Sequence, residues 1–235
     1  MMRYPPALLG LLPILILMSL GRTLAQSPSD SSGTPHLQDT LYLLDSTYLE
    51  IDIDHQEIYQ HYRSGTIDTF LCSTGNPGLR DGEATRPGIF TIRSKERKHI
   101  SAQFDVPMIN WMPFDAGIGI HALEGKGYYN FLGYQASSHG CVRVSRESSE
   151  DLFITVPVGT VVYVHQQNAT RAVGFANAND NIRVITPRDA RLLGKRLAAA
   201  LAGRADDRSL REKLAIPANG KLRMMIDVVN DRNKR

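Results

Sequence analysis

The chain has 235 residues, 42% of them hydrophobic, with 27 Lys and Arg against 24 Asp and Glu. That length suits one folded domain with appendages and argues against several domains. The formal net charge is +3 and no internal repeat is present; nucleic acid is not expected as a partner, because the amino terminus reads as an export signal.

Met1 to Ala25 reads as a secretory signal. Arg3 supplies a positive start, Ala7 to Leu20 is an almost unbroken apolar run, and Thr23-Leu24-Ala25 is a small-residue cleavage site before Gln26. The run is fourteen residues, short for a membrane-spanning helix, which leaves an uncleaved anchor as the alternative. No Cys lies near the cleavage site to carry a lipid. Export would place the chain in the periplasm or cell envelope. Residues 26–46 read as a leader or linker, with Gln26 to Asp39 rich in Ser, Pro, Gly and Asp.

Short strands follow. Tyr48 to Asp54 and Glu57 to Tyr62 each alternate apolar with polar residues, and the short connection His55-Gln56 predicts a hairpin. Thr66 to Ser73, Ile89 to Ile92, Ile118 to Ile120 and Thr160 to His165 are further predicted strands. Asn76-Pro77-Gly78 and Asp81-Gly82 are turn signals. Glu147 to Ile154 predicts one short helix, capped by Ser145. The fold class is therefore mostly β, a sandwich or barrel with one short helix. This domain spans residues 47–168.

Residues 169–235 predict a basic, partly helical appendage. Ala169 to Asp180 reads as a linker. Thr186 caps a helix with Pro187 in its first turn, Leu192, Leu193, Leu197, Ala200 and Leu201 give it an apolar face, and Gly203 stops it. A second helix over Asp207 to Leu214 and a strand over Leu222 to Val229 follow. From Asn181 onward there are 14 Lys and Arg against 6 Asp and Glu, while Gln26 to Asp180 has 11 against 18. A basic tail on an acidic body can dock on that body or bind anionic envelope polymers. The simpler reading is a helical appendage packed on the domain. The chain is expected to act as a monomer.

The stretch Gly119 to Ser145 holds the chemistry. Cys141 lies in Ser138-His139-Gly140-Cys141, and His121 lies twenty residues upstream of it. A cysteine attacks only as thiolate and needs a base or a positive neighbour. Either histidine can supply the base: His139 lies two residues before Cys141, with Gly140 between them bending the backbone, and His121 reaches it if a hairpin-like return through Gly125 to Gly133 brings it back. Gly140 lets the backbone approach a substrate closely, where N–H groups can bind an oxyanion. Two His and one Cys lack the paired spacing of a zinc site, so no metal is expected. Cys72 sits in a predicted strand and reads as core. Its pairing with Cys141 in a disulfide would block the nucleophile. The aromatic run Asn110 to Phe114 reads either as core packing beside the cleft or as a groove wall through Trp111. Tyr128, Tyr129 and Tyr134 lie in the spacer, as a lid or as exposed loop residues.

The stretch resembles the signature of the L,D-transpeptidase catalytic domain (YkuD-like) family. That signature is a His, a spacer of about sixteen residues, Ser/Thr-His-Gly-Cys, a hydrophobic residue and Arg or Asn. Ala122 to Ser137 is a sixteen-residue spacer, and Val142-Arg143 continues the motif. Leu71 to Gly75 is similar to the family's apolar-Ser-Thr-Gly strand end. Thr85-Arg86-Pro87-Gly88-Ile89-Phe90 is similar to its Thr-Pro-x-Gly-x-Phe turn, with the Pro moved by one. Glu150 to Phe153 and Val158 to Val162 are similar to its closing helix and last strand. The resemblance implies an L,D-transpeptidase-like β fold. It also implies an acyl transfer on peptidoglycan stem peptides that needs no cofactor. Cys141 would attack the carbonyl before a terminal D-Ala, and His121, oriented by the carbonyl of Ala122, would serve as base. His139, Gly140 and the Cys141 N–H would line the oxyanion region. Arg143 would contact a substrate carboxylate or brace the loop. Ser138, Ala122, Tyr134 and Trp111 complete the candidate substrate-binding positions. Hydrolysis of the same acyl-enzyme, attachment of a protein instead of a peptide, and a non-catalytic wall-binding role remain as rivals.

Overall fold

The computed structural model describes residues 41–166, 173–177, 182–184 and 213–216, together with positions 186, 189 and 192. A nine-stranded sheet dominates it. Its strands are β2 (Thr47–Asp52), β3 (Glu57–Tyr62), β4 (Ile67–Ser73), β5 (Gly88–Thr91), β6 (Glu96–Ile100), β7 (Pro107–Asp115), β8 (Ile118–Leu123), β9 (Val142–Val144) and β10 (Val161–His165). They lie in the order β5-β10-β2-β3-β4-β9-β8-β7-β6. The predicted hairpin is β2 against β3, with Ile51 opposite Ile58. Strand β10 lies parallel to β2, and β5 closes that edge antiparallel to β10.

The sheet curls about β4. Residues Ile67 to Leu71 pair with β3, whereas Cys72 and Ser73 pair with Val144 and Arg143 of β9. Both halves therefore feed one core. Leu49, Ile51, Phe90, Val162 and Val164 enter from one side, and Met112, Phe114, Ile120, Val142 and Val144 from the other. The rings of Phe90 and Phe114 meet across it at 5.4 Å. The helix α1 (Arg146–Thr155) packs against β7 and β8 and adds Leu152 to the core. The Ser145 Oγ caps it by accepting from the Ser148 N–H at 3.0 Å.

Strands β6 and β7 escape sequence reading for physical reasons. Strand β6, Glu-Arg-Lys-His-Ile, carries four charged or titratable residues because it is an exposed sheet edge, where charge discourages pairing with another chain. Strand β7 contains Asn110 at φ +53 and Pro113, and its register shifts against β8 at both places. Those shifts are bulges, which accommodate a proline and re-aim side chains. The Asn110 amide nitrogen uses the bend to reach the Ser149 Oγ of α1 at 3.1 Å.

The return from β8 to β9 differs from the expected hairpin. The two strands are parallel, pairing Ile120 with Val142 and His121 with Arg143. Parallel strands need a long crossover, and residues 124–141 supply it. It holds a 3-10 turn, Tyr129–Phe131, and is tied to β4 through Gly133 N–H to the Cys72 carbonyl at 2.8 Å. The spacer tyrosines separate here. Tyr128 is buried; its hydroxyl donates to the Val144 carbonyl at 2.8 Å and accepts from the Leu123 N–H at 3.2 Å. The Tyr129 hydroxyl accepts from the Arg146 N–H at 2.7 Å, at the start of α1.

A second sheet, in the order β11-β1-β13-β12, is formed by β1 (Leu41–Leu43), β11 (Val173–Phe175), β12 (Ile182–Val184) and β13 (Lys213–Ile216). It corrects three sequence readings. Leu41 to Leu43, read as leader, is a strand with both leucines fully buried. Val173 to Phe175 lies inside the expected linker, and Lys213 and Leu214 are strand where a helix end was expected. The Asp189 carboxylate accepts from the Thr186 N–H at 2.9 Å and from the Thr186 hydroxyl at 3.0 Å. The signal segment, Gln26 to Thr40, most of the predicted helices and the strand over Leu222 to Val229 lie outside the described residues. Among the described residues no helix is long and apolar enough to cross a membrane.

Tyr128→Phe removes the hydroxyl that ties the end of β8 to β9 and leaves a buried carbonyl unpartnered. Urea unfolding is expected to show a loss of about 1–3 kcal/mol.

Candidate active site

Because β8 and β9 pair in parallel, alternate residues of both strands share a face. Ile120 and Val142 point into the core with no exposure. Their neighbours His121, Cys141 and Arg143 point the other way and line one cavity of about 660 Å³. That volume is in the range that admits a peptide-sized ligand. His139, Ser138 and Leu123 share its wall.

The His121 ring is 3% exposed, and its Nδ1 lies 3.0 Å from the Ala122 carbonyl oxygen. A carbonyl only accepts, so Nδ1 carries the proton and Nε2 presents a lone pair. Burial pushes the imidazolium down to about 4; the Ala122 carbonyl opposes this and the Arg143 charge adds to it. Burial also raises the Cys141 thiol above its ordinary value, against the Gly119 N–H and the Arg143 charge. At neutral pH the site therefore rests as a neutral thiol beside a neutral imidazole. An Nη of Arg143 donates to the Ser137 carbonyl at 3.1 Å, while its buried Nε has no partner.

The loop bearing the nucleophile is held by its own serine. The Ser138 Oγ donates to the Cys141 carbonyl and accepts the Gly140 N–H at 3.1 Å. Gly140 itself sits at φ +137, a conformation that side chains rarely adopt. The Gly140 N–H is thus already engaged within the loop.

Three expected substrate positions lie elsewhere. Ala122 is fully buried and off the cavity wall, and meets the site through its carbonyl at His121 Nδ1. Trp111 does not line the cavity. It is 4% exposed, stacked on His99 at 5.5 Å and edge-on to His121 at 5.7 Å, so it backs the base. Its ring fills the space where a Cβ on Gly119 would stand, 2.7 Å from a ring carbon. Tyr134 is 79% exposed and off the cavity wall. Conversely, Phe104 packs on the His139 ring at 4.4 Å, and Asp81, Glu83 and Arg86 add charge to the wall. An aromatic residue in the polar segment Ser101 to Val106 was the available signal for Phe104. Nothing local marks the two carboxylates. Both cysteines are free, with Cys72 fully buried. Among the described residues no three His, Cys, Asp or Glu gather as a metal site.

The depressed His121 value has a stability consequence. Between an unfolded value near 6.5 and a folded value of about 4, the unfolded chain binds more protons, so stability falls as pH drops through this window. Wild type is expected to lose on the order of 3 kcal/mol more than His121→Gln between pH 7 and pH 4, measured by urea unfolding. Equal losses in the two proteins would remove the buried neutral imidazole from the account.

Comparison with known proteins follows the same residues. No curated protein matches the chain significantly. Among solved structures, an L,D-transpeptidase (Yku) from Stackebrandtia nassauensis is similar at 25% identity, with a TM-score of 0.45, over 57% of this chain and 60% of that one. An L,D-transpeptidase from Mycobacterium tuberculosis H37Rv is similar at 22% identity, TM-score 0.45, over 51% and 57%. One from Mycobacterium smegmatis stands at 19% identity, TM-score 0.45, over 51% and 58%. The chain thus spans less than two thirds of the length of these structures. Residues 46–164, which hold the whole site, match the L,D-transpeptidase catalytic domain, YkuD. With that match over half its length, the chain belongs to the YkuD family of L,D-transpeptidase catalytic domains.

Proposed function

We propose that this chain is an exported cysteine L,D-transpeptidase acting on peptidoglycan stem peptides. The observation that carries the reading is the register of β8 and β9, which sets His121 and Cys141 on one cavity face with the Nε2 lone pair of His121 free. The donor is a tetrapeptide whose last residue, D-Ala, follows an L-centred diamino acid. His121 Nε2 takes the thiol proton as the Cys141 sulfur adds to the carbonyl before D-Ala. Collapse of the tetrahedral adduct breaks the peptide bond, and the imidazolium returns the proton to the leaving D-Ala amine. An acceptor amine then attacks the thioester, gives its proton to His121 and releases Cys141. The Ala122 carbonyl holds the imidazole in the needed tautomer, a triad whose third member is backbone. Arg143 donates to the Ser137 carbonyl through one Nη and so braces the loop that carries Cys141. The pattern of Met1 to Ala25 supports work in the periplasm or cell envelope.

Intact-mass analysis of the protein with a tetrapeptide stem tests this. A thioester adduct is expected that disappears into cross-linked product when an acceptor amine is added. An adduct that yields only free tripeptide, with acceptor present, would make the protein a carboxypeptidase. Cys141→Ala is expected to lose turnover by roughly a thousandfold or more while keeping its thermal unfolding midpoint.

The neutral resting pair makes a separate prediction. Alkylation of Cys141 by iodoacetamide is expected to keep rising from pH 7 through pH 9, following the thiolate. A rate already at its plateau at pH 7 would mean a preformed ion pair instead.

A further inference from the structure

The peptide between Gly140 and Cys141 can be accounted for group by group. Its residues carry two N–H and two carbonyl groups. The Gly140 N–H goes to the Ser138 Oγ at 3.1 Å, and the Cys141 carbonyl accepts from the same hydroxyl. The Gly140 carbonyl accepts from the Thr85 Oγ1 at 2.7 Å. Of these four groups, the Cys141 N–H alone has no partner among the described residues. In a trans peptide the carbonyl and the following N–H point in opposite directions. A Gly140 carbonyl drawn inward to the buried Thr85 therefore turns the Cys141 N–H away from Thr85, and Cys141 itself lines the cavity.

Thr85 is built into the interior for this contact. It is 2% exposed, and its Oγ1 also accepts the Gly75 N–H at 2.8 Å. Both hydroxyl roles are thus used, one as donor and one as acceptor. The backbones of Gly75 and Gly140 pass so closely that a Cβ on Gly75 would lie 2.6 Å from the Gly140 Cα. Ser138 holds the Gly140 N–H and the Cys141 carbonyl on either side, and the Thr85 hydroxyl holds the carbonyl of the peptide that joins them.

We infer that Thr85 is a positioning residue for acyl transfer: its hydroxyl pins the Gly140 carbonyl and so aims the Cys141 N–H at the oxyanion of the tetrahedral adduct. This rests on the cysteine acyl-transfer reading above. As the Cys141 sulfur bonds to the substrate carbon, the carbonyl π pair moves onto oxygen, and the aimed N–H binds the charge that develops there. An S-alkylation at the same sulfur expels iodide and forms no oxyanion, so it does not use this N–H.

That difference supplies the test. Full-length wild type, Thr85→Ser and Thr85→Val are each treated with p-nitrophenyl acetate and, separately, with iodoacetamide, and modification at Cys141 is followed by mass spectrometry. Thr85→Val is expected to be acylated roughly tenfold to a hundredfold more slowly. Its alkylation rate should stay within about twofold of wild type, because no oxyanion forms in that reaction. Thr85→Ser should restore acylation. Unchanged acylation in Thr85→Val, or acylation and alkylation slowed by the same factor, would overturn the role and leave Thr85 as packing. If the Val variant does not fold, Thr85→Cys, a weaker donor, takes its place and is expected to be acylated more slowly than both wild type and Thr85→Ser; acylation equal to wild type overturns the proposal there too. Wild type that is alkylated at Cys141 but never acylated would sink the acyl-transfer reading itself, and the role of Thr85 with it.

Discussion

The site depends on the parallel pairing of β8 with β9. His121 and Cys141 stand twenty residues apart in sequence. Only the register of Ile120 opposite Val142 makes them neighbours on one face. A slip of one residue would turn a whole set of side chains over and bury the histidine or the cysteine in the core. The core residues guard against that slip. Ile120, Val142 and Val144 are fully buried, so any shift would expose them and internalise charged Arg143. The crossover that parallel pairing demands is also put to use. It runs back across the end of β4, where the Ser137 and Ser138 N–H groups both donate to the Thr74 carbonyl, and so delivers the nucleophile loop in a fixed place.

Burial sets the electrostatics of the site, and its effect differs from that elsewhere on the same sheet. At His121 burial outweighs its backbone partner and keeps the ring neutral. In β2 of the same sheet, burial would raise Glu50. There, hydrogen bonds from His165 at 2.9 Å and His61 at 2.7 Å outweigh it and hold the carboxyl at about 2. The contrast lies in the partners. A carbonyl dipole does little to retain a proton on an imidazole, whereas two imidazoles grip a carboxylate. A base that is neutral at working pH is ready to accept a proton, which suits the role proposed for His121.

The backbone carries as much of the site as the side chains do. Gly140 takes a positive φ, Gly75 gives it room, and Gly119 leaves space for the Trp111 ring beside His121. Each glycine is an absence that another group fills. For that reason the neighbourhood of the nucleophile is stiff, and small changes at positions without any reactive group are felt at the sulfur.

How much of this was legible in the sequence follows from the range of the forces involved. Local signals sufficed where one face of an element is wet. The β2–β3 hairpin alternates visibly, and Ser145 with its following helix is a local hydrogen-bond pattern. The residues of the nucleophile motif, Cys141 with His121, were legible because a reactive thiol needs rare residue types at a particular spacing. Strand β6 was hidden by its charges and β7 by its bulges, since an edge and a bulge are properties of the neighbours and not of the segment. The second sheet joins Leu41 to Leu43 with strands more than a hundred residues away, a pairing no local pattern records. The same holds at the site. The sequence names the cysteine and its base, but the parallel register, the backing of His121 by Trp111 and the bond from Thr85 to Gly140 exist only after folding. Each is a contact between distant segments, and such contacts are decided by packing and not by propensity.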